Sequence, residues 1–113
     1  MTSIFQQKRQ ERSLAEREQQ RLALQRQRSE ALQAITAEVG GKVVQVRPQD
    51  GQNFQTAIAI GQPQRWILAD NSVAVLTVEE MQDALQSGIA QAAEIWDEYA
   101  TQIEIWNEES PDV

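Results

Sequence analysis

The chain has 113 residues, no cysteine, no histidine, and a formal net charge of −7, a length that suits one compact domain. The two absences exclude disulfides, thiolate or imidazole metal sites, cysteine nucleophiles and histidine general bases, leaving carboxylates, Lys42, Tyr99 and hydroxyls for any chemistry. No stretch approaches the roughly 20 apolar residues of a membrane span and residues 1–10 lack the apolar core of a signal peptide, so the expectation is a cytoplasmically made protein with no membrane insertion.

Charge divides the chain. Residues 1–38 hold seven basic side chains against five acidic ones, whereas residues 39–113 hold three (Lys42, Arg47, Arg65) against twelve. A basic arm on an acidic body suits nucleic acid, but here the arginines alternate with Glu11, Glu16, Glu18 and Glu30, and no aromatic follows Phe5 in the arm. A helix laced with local ion pairs is the expectation, and no nucleic-acid partner. Residues 6–33 contain no glycine or proline and are rich in helix formers. The first half offers only Leu14 and Ala15 as apolar contacts, while Leu24, Ala31, Leu32, Ile35 and Val39 follow at helical spacing. Residues 1 to about 20 therefore have nothing to bury alone and are expected to be an attachment arm ordered only against partner chains. Gly40-Gly41 is expected to cap the helix, giving an N-terminal unit over residues 1–38 and a small domain over 39–113.

"KVVQVR", residues 42–47, is β-branched and ends at Pro48 in "PQDG", the profile of a strand. "QDGQN" has a faint calcium-loop flavour at Asp50, Gly51 and Asn53 but lacks the remaining acidic positions, and a turn is expected. "NFQTAIAIG", residues 53–61, fits a short helix through Phe54, Ala57 and Ile58, and strand alternation through Thr56, Ile58 and Ile60, so periodicity leaves both open.

Residues 65–68 and 72–76 flank "ADNS", where Asp70-Asn71 tolerate the left-handed conformations of a hairpin turn. Trp66, Leu68, Val73 and Val75 alternate along the two strands. Thr77-Val78-Glu79-Glu80 is a capping box, so a helix is predicted from Val78. Val78, Met81, Leu85, Ile89, Ala92, Trp96, Tyr99, Ile103 and Trp106 follow at steps of three and four, one continuous coiled-coil-like seam. A helix reaching Glu108 is roughly 45 Å long at about 1.5 Å per residue, too long for a small body to cover.

Glu79, Asp83, Glu94, Glu104 and Glu108 are expected opposite that seam, and the adjacent Asp97 and Glu98 diverge around the helix. Paired carboxylates do glycosidase or metal chemistry only where they converge, and on an exposed face they solvate the helix. No catalytic, cofactor or metal residue is assigned. Phe54, Trp66, Leu68, Asp70, Asn71, Val75, Thr77, Glu80 and Leu85 are expected to build the core and its turns. Leu14, Leu24, Leu32, Ile35, Ile89, Trp96, Tyr99, Ile103 and Trp106 are expected to meet other subunits, with Trp106 the largest such anchor.

The run "NFQTAIAIGQPQRWILADNSVAVLTVEEMQDALQSGIAQAAEIW" resembles a small domain that recurs in bacteriophage and prophage tail, tail-fibre and tail-fibre-assembly proteins. Trp66, Asp70, Asn71, Val75, Leu76, Thr77, Leu85 and Ile89 carry the likeness, which extends over roughly residues 31–99. This chain has "GQNFQT" where that family often has an acidic cluster and a serine, and it lacks the family's histidine in the last helix, so no binding site is carried over. The resemblance implies a helix at residues 53–60 and a non-enzymatic structural component of a phage tail, in fibre or baseplate. It implies a location in the virion after assembly in the host cytoplasm, and partners that are copies of itself, as a homotrimer, and other tail proteins. A tail-fibre assembly chaperone absent from the particle is the alternative. The fold expected is α+β: a long N-terminal helix, a short strand, a short helix, a β-hairpin and a long C-terminal helix, with a small antiparallel sheet against the helices.

Overall fold

A computed structural model describes the backbone of residues 4–109 and the side chains from Ser13 to Glu109. The order is α1 (Ile4–Gln33), β1 (Thr36–Val39), β2 (Lys42–Gln45), a 3-10 turn (Pro48–Asp50), α2 (Gly51–Ile60), β3 (Gln64–Ile67), β4 (Val73–Leu76) and α3 (Val78–Glu108). The fold is α+β, but the small sheet is two separate antiparallel hairpins, β1-β2 and β3-β4.

The first hairpin corrects the expected start of the body. Helix α1 stops at Gln33 and not at Gly40-Gly41. Ile35, Ala37 and Val39 are all buried, a period of two that points one face of β1 inward. Leu32 and Ile35, expected at a subunit interface, are core residues at 8% and 3% exposure. Gly40 and Gly41 turn the hairpin, with φ of 58° and 76°. Positive φ at both central residues is what a two-residue type I′ turn requires, and it pairs Val39 with Lys42. The boundary expected between residues 38 and 39 thus falls inside β1.

Residues 53–60 are helical. Arg47 and Asp50 brace the entry to α2: the Asp50 carboxylate accepts the Arg47 amide at 3.0 Å and the Arg47 guanidinium at 2.9 and 3.1 Å. Gly61, at φ 76°, ends the helix in the left-handed conformation. This occupies the segment with the calcium-loop flavour, and no cluster of three or more metal-ligating carboxylates exists among the described residues.

The second hairpin matches its expectation closely. Asn71 takes φ 68°, Leu68 donates to the Ser72 carbonyl at 2.8 Å, and the Asp70 carboxylate accepts from the Ser72 amide and hydroxyl. Those two Ser72 bonds, the hydroxyl first, hold the Asp70 carboxyl below its ordinary range. The capping box is in place: Thr77 Oγ1 accepts from the Glu80 amide at 3.1 Å, and Glu80 Oε1 accepts from the Thr77 amide at 3.0 Å.

Phe54, Leu76, Met81 and Val44 are fully buried at the centre of the core, and Trp66 stacks on Phe54 with ring centroids 4.4 Å apart. Helix α3 organises everything else, because β1, α2 and α1 all pack on it. Its inward stripe keeps most of the expected seam, with Val78, Leu85, Ala92, Tyr99, Ile103 and Trp106 half-buried and Met81 fully buried, but departs from it at Ile89 and Trp96. Met81, Ala84 and Gly88 are buried there, with Ile95 and Tyr99 further along, whereas Ile89 and Trp96 are 59% and 49% exposed. The reason is Gly88: a Cβ there would sit 2.8 Å from Val46 Cβ and 3.1 Å from the Val46 carbonyl oxygen. At Gly88 the chain leaving the first hairpin lies so close to α3 that no side chain fits.

Beyond this head, α1 and α3 run antiparallel as a stalk, with Arg28 beside Trp96 and Tyr99 and Arg17 beside Trp106. The radius of gyration is 21.2 Å and the longest extent 72 Å, against about 13 Å for the radius of a compact chain of this length.

Candidate interaction surfaces

The stalk is held by a chemistry that the apolar pattern of α1 does not reveal. The residues of α1 that turn toward α3 include Arg17, Arg21, Leu24 and Arg28, all half-buried. The Arg17 guanidinium lies 4.1 Å from the Trp106 ring centroid, and the indole N–H of Trp106 donates to the Arg17 carbonyl at 3.2 Å. The Arg28 guanidinium lies 4.7 Å from the Trp96 ring and 4.5 Å from the Tyr99 ring, which meet edge to face. Cation–π contacts of this kind contribute on the order of 0.5–1 kcal/mol each at exposed sites. The long alkyl stems of arginine cover aromatic surface at the same time.

Charge supports the pairing. Helix α1 carries seven basic residues against four acidic ones, and α3 carries eight carboxylates and no basic residue. Among the described residues the ion pairs of α1, Arg21 with Glu18 and Arg26 with Glu30, both stay within the helix. The two helices therefore attract through the field between a basic and an acidic rod rather than through individual bridges. This corrects the attachment arm at its inner end. Residues 13–20 already lie alongside α3 through Arg17, because a polar helix docks when its cations find aromatic faces. The outer part of that arm, residues 1–3 and the side chains of residues 4–12, lies outside the described residues.

An open groove of about 500 Å³ runs between the two helices, lined by Leu24, Arg28, Ala31, Ile95, Tyr99 and Gln102 among others. Arg28 Nε is buried there with no hydrogen-bond partner among the described residues. Of the interface residues expected from sequence, Leu24, Tyr99, Ile103 and Trp106 are half-buried along the stalk, and Leu14, Ile89 and Trp96 are exposed. Leu22 and Ile105, not singled out by spacing, add 49% and 41% exposed side chains to the same stalk.

The body residues divide as well. Phe54 is core, and Trp66, Leu68 and Leu85 are half-buried against it. Val75 is a correction: it is 52% exposed, because the alternation of β4 turns Ala74 and Leu76 inward and Val73 and Val75 outward. Glu80 does more than cap a helix. Its carboxylate also takes the Lys42 ammonium at 3.2 Å, and Lys42 reaches the Val75 carbonyl at 2.8 Å. The Thr77 amide first, then Lys42, holds the Glu80 carboxyl below its usual value. The remaining acidic residues of α3, including Glu79, Asp83, Glu94, Asp97, Glu98, Glu104 and Glu108, are exposed and do not converge.

A second groove of about 580 Å³ lies on the head between β3 and α2, near the end of β2. Ile67 and Ile60, exposed at 67% and 57%, stand on its two walls. Sequence spacing named Ile60 only as part of a strand alternation that the helix replaces, and it did not single out Ile67, since an exposed apolar side chain carries no periodic signature of its own.

The sequence matches the family described as Domain of unknown function (DUF4376) over residues 15–110. No curated protein and no solved structure matches the chain.

Proposed function

The chain belongs to the DUF4376 family, and we propose that it works without catalysis, as a structural component of a bacteriophage tail, in fibre or baseplate, that assembles with copies of itself and with other tail proteins. One observation supports an assembly role most: the molecule exposes far more surface than its mass requires. Its accessible area is 8084 Å², against roughly 6,300 Å² for a compact monomer of this mass. The stalk presents Leu14, Leu22, Trp96 and Ile105 to solvent, and Ile89 is exposed on the head beside α2. On an elongated two-helix stalk such side chains offer anchors that other chains can cover. The placement in a tail rests on the resemblance carried by the stretch from Asn53 to Trp96, and the trimeric state on the habit of the fibre proteins it resembles.

Mass spectrometry of purified particles tests the reading, with sedimentation of the isolated protein beside it. The expected result is the protein in intact virions at a fixed multiple of the tail symmetry, with Trp96→Ala reducing its self-association. Absence from particles, together with transient binding to fibre subunits, would replace the reading by an assembly chaperone.

A further inference from the structure

The groove on the head has one wall of an unusual kind. Four consecutive residues, Arg65 to Leu68, line it, and consecutive residues of a strand point to opposite faces. The groove therefore runs along the edge of β3, not over a face of the hairpin. The opposite wall is one face of α2, built from Asn53, Thr56, Ala57 and Ile60 at helical spacing.

The edge of β3 is free at Arg65 and Ile67, and just beyond it on the same side the Ala69 amide donates to the Val43 carbonyl of β2 at 2.9 Å. The Leu68 amide donates to the Ser72 carbonyl across the hairpin, and the register pairs Gln64 with Leu76 and Trp66 with Ala74. In an antiparallel ladder the bonded and non-bonded pairs alternate, so Arg65 and Ile67 direct their N–H and C=O groups away from β4, along the groove. Neither has a backbone partner outside the hairpin among the described residues. A strand edge facing a helix, with unpaired backbone groups between, suits an extended peptide that adds a strand.

Charge narrows the occupant. Of the three basic residues beyond residue 38, Lys42 is paired with Glu80 and Arg47 with Asp50. Arg65 is the third, and it makes no ion pair among the described residues. It stands on the groove in an otherwise acidic body. Symmetric pairing with the β3 edge of a second copy would bring another unneutralised guanidinium onto the same short seam.

We propose that the groove between the free edge of β3 and α2 accepts an extended segment of a partner polypeptide as an added strand. Apolar side chains of that segment, alternating in direction, lie against Ile67 on one face and Ile60 on the other, and a carboxylate meets Arg65. The site is distinct from the stalk and does not rest on the tail assignment.

The test uses the full chain labelled with ¹⁵N and a blocked hexapeptide of alternating valine and threonine carrying one glutamate. Titration is expected to move the amides of Arg65, Ile67 and the adjoining face of α2, with saturation in the millimolar range or below. Arg65→Glu is expected to weaken binding tenfold or more, and replacing the peptide's glutamate by lysine is expected to restore it to that variant. A peptide N-methylated at alternate positions, which cannot complete the ladder, is expected to lose binding; this control leaves the protein untouched. No movement at millimolar peptide, undiminished binding of the N-methylated peptide, or movement confined to α3 around Trp96 would overturn the proposal. Shifts at Arg65 and Ile67 that depend on protein concentration without peptide would assign the edge to a second copy and overturn it equally.

Discussion

The head and the stalk solve one problem, holding α3, by two different means. In the head, Phe54, Leu76, Met81 and Val44 are removed from water completely, and each large side chain so buried contributes roughly 1.5–3 kcal/mol. In the stalk, Arg17 and Arg28 lie on Trp106, Trp96 and Tyr99, none of them fully buried, and each contact is worth a fraction of that. One continuous helix thus spans two regions that hold it by contacts of different strength. The head decides whether the chain folds, and the stalk decides what surface it shows.

The strongest way to break the contrast is at its apolar end. Phe54→Ala removes the ring that Trp66 stacks on and is expected to cost about 3–5 kcal/mol, read by urea unfolding. Gly88→Ala drives a methyl into Val46 and is expected to cost about 1–3 kcal/mol as α3 and the first hairpin move apart. A wild-type midpoint in that variant would show that the close approach is not a constraint.

At the other end, Arg28→Ala is expected to cost about 1 kcal/mol. It should raise amide exchange along residues 95–106 while leaving Leu76 and Met81 protected. Equal loss in both regions would mean that head and stalk unfold as one unit.

Acid sharpens the comparison most finely. The folded state depresses the Glu80 carboxyl, chiefly through the Thr77 amide and then Lys42. Its contribution is present above the ordinary glutamate range and is lost as pH falls through the lower, folded value. Glu80→Gln is therefore expected to flatten the acid limb of the stability profile, with the change confined to the head.

How much of this was legible follows from the same contrast. The second hairpin and the start of α3 could be read directly, because Asp70-Asn71 and Thr77 to Glu80 are local signals whose partners lie within four residues. In the first hairpin β2 was legible in the β-branched residues 42–47, and the partner strand β1 was hidden. Ile35 and Val39 are four apart and satisfy a helix, and only the inward Ala37 between them discloses the strand, which a search for large apolar side chains passes over. Gly88 was hidden for a related reason, since a close approach selects for the absence of a side chain. The stalk contacts were hidden because arginine reads as solvated until its aromatic partner, 68 to 89 residues away, is in place. Of the partly buried positions, Ile95 escaped the expected seam because Gly88 shifts the contact face of α3 from Ile89 and Trp96 toward Ala84 and Ile95.

Glu80 also gives the chain an order of events. Its bonds with Thr77 span three residues and can form within the first turn of a nascent helix, on the submicrosecond scale of helix formation. Its bond with Lys42 spans 38 residues and must wait for a long loop to close, at an entropic cost that local contacts do not bear. One carboxylate is therefore a participant in both an early and a late step of folding. In transition-state analysis, Thr77→Ala is expected to act mainly on the folding rate and Lys42→Met mainly on the unfolding rate.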